Sequence, residues 1–184
     1  MNWNWKWWKR KKPFGDPARL AVVLVDMQYH FVDGLDTREA VARLVLSQIA
    51  ILRRCQKEDI PVVVLEYVGC GATIEDLETE LAKLRTVIRI AKSNESGFSN
   101  PELDDALRGL GVGTLFLMGI NAEACVLETA QDARRLGYAV VTNSELIASA
   151  NANADIYSTW YRANGVFVEK VPETLQALAA PKTA

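Results

Sequence analysis

Cys125 lies in the stretch GINAEACVLETA, just past a strand-like apolar run and at the start of a helical pattern. The first turn of a helix offers unpaired backbone N–H groups and the positive end of the helix dipole. Both favour a thiolate, and the same N–H groups can hold an oxyanion beside it. A small buried apolar residue could equally well begin a helix there. Asp26 ends the apolar run Leu20–Val25. A carboxylate at such a position could take the thiol proton and return it to a leaving nitrogen, or act only as a cap or turn residue. Lys92 follows the run Val87–Ile90. Its ammonium could hold Asp26 ionised and lower the pKa of Cys125, or simply be solvated at a strand edge. His30 is the only histidine and lies four residues past Asp26, so a Cys–His dyad must use it. The bland reading of His30 is a half-exposed loop residue.

These residues need a scaffold that brings them together. Six short, continuously apolar runs punctuate the chain: Leu20–Val25, Val62–Leu65, Val87–Ile90, Leu115–Met118, Ala139–Val141 and Val166–Val168. Runs of this kind read as strands buried on both faces. Helical patterns separate them. Arg38–Lys57 carries Val41, Leu44, Val45, Ile49 and Leu52 on one stripe, with Asp36 and Glu39 as a capping box. Further helices are expected over Thr73–Leu84, from Asn100-Pro101 to Gly109 or Gly111, over Glu123–Leu136 with Gly137 as its stop, and over Asn151–Ala163. Alternating strand and helix predict an α/β fold, a parallel sheet covered on both faces. In that architecture the site lies at the carboxyl ends of the strands. Asp26, Lys92 and Cys125 all fall on that edge, together with Glu66, Tyr67 and Cys70.

Three segments together resemble the isochorismatase-like cysteine hydrolases, a family that includes nicotinamidases, N-carbamoylsarcosine amidohydrolases, ureidoacrylate hydrolases and isochorismatases. They are AVVLVDMQYHF, KSNESGFSNPELDDAL and GINAEACVLETAQDARRLGYAVVTNSEL, and the resemblance covers about residues 18–170. It implies a three-layer α/β/α sandwich with a six-stranded parallel, Rossmann-like sheet over residues 18–180, preceded by a tail at 1–17. It implies a catalytic triad of Asp26, Lys92 and Cys125, a cis peptide at Ile120-Asn121, and an oxyanion hole from the backbone N–H groups of Asn121 and Cys125. Phe31, Glu66, Tyr67 and Phe98 are the expected substrate-binding residues, and a homo-oligomer is the expected assembly. The implied reaction is cleavage of a C–N bond in a small amide or ureide through a thioester on Cys125. Two other readings within the resemblance are an isochorismatase-type vinyl-ether hydrolysis and a catalytically silent binding or scaffold member. Nicotinamidases carry an Asp-x-His and a further His after the second strand. The stretch LEYVGCGATIEDL has none, so no metal and no cofactor is expected.

Composition narrows the field further. The 184 residues suit one domain with a substantial core, and a formal net charge of −2 does not suggest a nucleic-acid binder. Residues 1–12, MNWNWKWWKRKK, carry five basic groups and no acid, which leaves the other 172 residues at −7. The interleaved tryptophans and lysines suit a subunit contact, a membrane or other anionic surface, or a tail with no part in catalysis; the subunit contact is the expectation. Three scattered cysteines make no disulfide framework, and a reducing cytoplasm is the default. The tail lacks the apolar stretch of a signal peptide, and no apolar run approaches the ~20 residues of a membrane span.

Overall fold

The computed structural model describes residues 15–35, 37–150 and 154–167, with the side chains of 154–158 left aside. The Trp- and Lys-rich tail and Asp36 lie outside the described residues, so the tail's role and the Asp36–Glu39 box find no structural account here. The elements in chain order are β1 (Asp16–Val25), α1 (Tyr29–Val32), α2 (Arg38–Glu58), β2 (Val62–Tyr67), α3 (Glu75–Leu81), β3 (Val87–Lys92), a 3-10 turn (Gly97–Ser99), α4 (Glu102–Gly109), β4 (Val112–Ile120), α5 (Cys125–Leu136), β5 (Ala139–Val141), β6 (Ile147–Ala148) and α6 (Ala154–Ala163).

The sheet is six-stranded and parallel, ordered β3-β2-β1-β4-β5, with β6 paired to the upper end of β4. β1 lies between β2 and β4, with Val22 opposite both Val62 and Phe116. Its side chains therefore feed two cores. Val22 and Leu24 pack with Leu52 and Leu77 of α2 and α3. Ala21, Val23 and Val25 pack with Leu103, Val126 and Ala130 of α4 and α5. Full burial of such side chains contributes roughly 1.5–3 kcal/mol each, and the continuous apolar runs exist because both faces are covered.

Local signals set the helix ends. Thr37 Oγ1 accepts from the Ala40 N–H at 3.1 Å, so Thr37 caps α2. Asn100 Oδ1 accepts from Glu102 N at 3.0 Å at the head of α4. Gly137, at φ +97°, closes α5 in the left-handed conformation glycine tolerates. The helix expected over Thr73–Leu84 is shorter, because Thr73 is spent on a bridge to Gln28 and Leu81 leads into turns. The sixth strand is also corrected. It is Ile147–Ala148 on β4, whereas Phe167 of the run Val166–Val168 makes one isolated bridge to Thr142. A two-residue strand is too short for any periodicity to reveal.

Gly119 is required where β4 passes β1. It sits at φ +140°, and an added Cβ would fall 2.0 Å from the Val25 carbonyl oxygen. Backbone strain at such a position costs about 1–3 kcal/mol before the clash is counted. Gly119→Ala is expected to lower the thermal midpoint of unfolding by several degrees or to prevent folding, as read by circular dichroism.

Candidate active site

Reading along the sheet, the strand order reverses between β1 and β4, whose connections leave in opposite directions. The crevice above such a reversal is where open α/β sheets bind ligands. Asp26 follows β1 there, and Cys125 opens α5 after the loop that follows β4. Lys92 ends β3, two strands away, and reaches back along the sheet edge. Its Nζ lies 2.7 Å from Asp26 Oδ2, with both side chains fully buried. Lys92 Nζ also donates to the Asn94 carbonyl at 3.0 Å and sits 4.5 Å from the centre of the Tyr67 ring. The Cys125 sulfur interacts with both the Asp26 carboxylate and the Lys92 ammonium. Neither Asp26 oxygen has an aligned donor beyond these two partners among the described residues, which leaves the carboxylate able to accept a proton.

The backbone builds this convergence. Asp26 adopts φ +50°, rare for a residue with a side chain, while its N–H donates to the Leu65 carbonyl at 3.0 Å. That combination breaks the strand direction just past its last residue. The peptide Ile120-Asn121 is cis. The following turn is held by Ala122 N to Ala148 O at 2.9 Å and Val126 N to Asn121 O at 3.0 Å. Among the described residues, the N–H groups of Asn121 and Cys125 have no acceptor.

The protonation pattern differs from the expectation of a low-pKa thiol at a helix start. Burial, then the adjacent Asp26 carboxylate, push the Cys125 thiol up to about 12, against the opposing pull of Lys92. Asp26 is also raised, by burial first, with Lys92 and the thiol working the other way. The positive end of α5 does not outweigh a neighbouring full negative charge in a dry site. The resting state is therefore a neutral thiol beside a carboxylate that can accept its proton.

Of the remaining expected site residues, Phe31 and Tyr67 form an edge-to-face pair at 6.3 Å, and Tyr67 joins the cluster through Lys92. Phe98 turns away from it. Its ring stacks at 5.9 Å on Tyr138, which follows the far end of α5 from Cys125. Glu66 is committed elsewhere: its Oε1 accepts from Thr73 N at 3.1 Å and Thr73 Oγ1 at 2.7 Å, and it lies 3.6 Å from Arg89. Its charge still helps to raise Asp26. His30 is exposed, its ring at 5.1 Å from that of Phe31. Cys70 is half-buried in the turn after β2. Among the described residues, no group of three His, Cys, Asp or Glu side chains is placed to hold a metal ion.

Gln28 is the residue that sequence reasoning missed. Fully buried, it accepts from Tyr67 N at 2.7 Å and donates to the carbonyls of Tyr67 at 3.0 Å and Gly71 at 2.5 Å. It thereby ties the loop after β2 to the loop after β1, and the Tyr67 hydroxyl completes the anchoring by donating to Ser93 O at 2.7 Å. A polar residue two positions beyond the strand-end aspartate was the available signal.

Residues 20–169 match the isochorismatase domain family model. A streptothricin hydrolase of Streptomyces noursei is 29% identical over 143 residues, covering 74% of this chain and 50% of that protein. The chain thus spans about half the length of the curated relatives it matches. In fold, it is similar to the MAR1 ribonuclease of Caenorhabditis elegans, with TM-score 0.74, 21% identity, and 92% of this chain and 83% of the other covered. It is also similar in fold to N-carbamoylsarcosine amidase of Thermoplasma acidophilum, with TM-score 0.70, 21% identity, and 83% and 96% covered. No helix among the described residues is long and apolar enough to cross a membrane.

Proposed function

The chain belongs to the isochorismatase family, and from that premise we propose that it is a cysteine hydrolase cleaving the C–N bond of a small amide or ureide. The observation that carries this reading is the buried Asp26–Lys92 pair at 2.7 Å, close enough to the Cys125 thiol for its two charges to pull that thiol's pKa in opposite directions. A buried ion pair is costly unless it has a task. Here an acceptor, a cation and a nucleophile share one dry point at the sheet's switch.

Asp26 accepts the thiol proton as sulfur attacks the carbonyl carbon. The free N–H groups of Asn121 and Cys125 hold the resulting oxyanion. The C–N bond breaks, and the nitrogen leaves as ammonia or an amine carrying the proton from Asp26. Water then gives a proton to Asp26 and adds to the thioester, the C–S bond breaks, and the carboxylic or carbamic acid departs as the thiol is restored. Lys92 keeps the carboxylate charged between these steps and holds its position. Phe31 and Tyr67 supply an apolar wall. The buried Asn121 Oδ1 has no donor among the described residues, and an amide or ureide N–H would supply one.

The chain is further proposed to work as a homo-oligomer, as the family likeness implies. A panel of small amides and ureides assayed for ammonia release tests the reaction class. At least one is expected to turn over, with activity abolished in protein alkylated at Cys125. Release that survives complete alkylation of Cys125 removes the thioester route.

A further inference from the structure

The outer face of α2 carries an apolar centre with opposite charges at its two ends. Glu39, Ala42, Leu46, Ala50 and Arg53 are exposed along one stripe, at helical spacings of three and four residues. Leu46 is 65% exposed, the most of the large exposed hydrophobic residues among those described. A single exposed leucine is ordinary, but Leu46 crests a ridge with a groove on each side. One groove, of about 670 Å³, is walled by Val32, Leu35, Val41 and Ile49. The other, of about 630 Å³, is walled by Leu44, Ile147 and Ala148. The core face of α2 is already occupied by Leu44, Val45, Ile51 and Leu52, so the outer stripe takes no part in that core among the described residues.

The stripe is complementary to itself. An antiparallel copy of α2 crossing at Leu46 sets Ala42 against Ala50 and Glu39 against Arg53, in both directions at once. Those pairs are equidistant from Leu46 in the chain, the condition an isologous two-fold contact imposes. Alanines flanking the leucine allow close approach of the axes, and the antiparallel helix dipoles attract. Among the described residues, Glu39 has no ion-pair partner. Arg53, its side chain 65% exposed, holds Glu80 at 2.9 Å and keeps a further guanidinium nitrogen for a second carboxylate.

We propose that α2 is a homodimer surface: the Leu46 ridges of two copies meet at the two-fold axis, closed at both ends by Glu39–Arg53 pairs. This names the contact for the homo-oligomer proposed above and rests on that reading. Neither side of the dimer needs the site chemistry, so it is tested by mass alone. The full chain is expected to sediment as a dimer or a multiple of one. Leu46→Glu places two carboxylates together at the axis and is expected to raise the dissociation constant at least about tenfold. Leu46→Cys is expected to give a covalent dimer under mild oxidation, absent from the wild-type chain and reversed by a thiol. Glu39→Arg and Arg53→Glu are each expected to weaken the assembly, and their combination to recover it. A monomeric wild-type chain overturns both the oligomer and this surface. An oligomer that keeps its mass in Leu46→Glu and does not cross-link through Leu46→Cys overturns this surface alone, as does one that dissociates only when residues 1–12 are removed.

Discussion

Asp26→Asn is expected to cut turnover by about 10²–10⁴-fold while making Cys125 easier to alkylate. The two effects point in opposite directions because the carboxylate has two roles. In catalysis it takes the thiol proton. At rest its charge is among the forces that hold that proton on sulfur. Asparagine keeps the shape and removes the charge, so the thiol then faces Lys92 alone. The pH at which iodoacetamide modification reaches half its maximal rate should fall below the wild-type value. Lys92→Met is expected to move it upward, because the one group that lowers the thiol pKa is gone. Removing either half of a fully buried ion pair strands the other, at about 3–5 kcal/mol. Thermal unfolding of both variants therefore accompanies the alkylation profiles. An Asp26→Asn protein that is folded and loses less than about tenfold in turnover contradicts the general-base assignment.

Cys125→Ala is expected to lower turnover by about 10⁴-fold or more, with the fold preserved. The side chain is small and only 5% exposed, and alanine leaves little empty space. With a slow substrate, the wild-type protein is expected to show an added acyl mass by intact mass spectrometry, lost on hydroxylamine treatment and never seen in the variant. Vinyl-ether hydrolysis needs the aspartate rather than the sulfur. A Cys125→Ala protein that retains activity while Asp26→Asn does not would move the assignment to that chemistry.

Much of the scaffold could be read before any coordinates. Asp26, Lys92 and Cys125 each follow an apolar run, and a parallel sheet sends all such positions to one edge. What the sequence concealed was side-chain commitment. Glu66 and Phe98 have the right types near the right edge. Glu66 is already bonded to Thr73, and Phe98 rotates into the layer of α4 and α5 to stack on Tyr138. Neither partner adjoins it in a way that periodicity reports. The thiol pKa ran the other way for a similar reason, since a helix start is visible in a sequence but the depth at which it is buried is not. Gln28 stayed hidden because its partners, Tyr67 and Gly71, are 39 and 43 positions away.

The Gln28 amide also separates shape from composition in the segment it grips. The course of Val68, Gly69 and Cys70 is imposed from outside, through main-chain bonds to the residues on either side of them. Their own side chains carry little of that duty: Val68 is 62% exposed and Cys70 half-buried. A library randomised at positions 68 and 70 alone should therefore retain folded scaffolds while altering what reaches the reaction centre, which makes this short bend the natural place to begin changing selectivity by directed evolution.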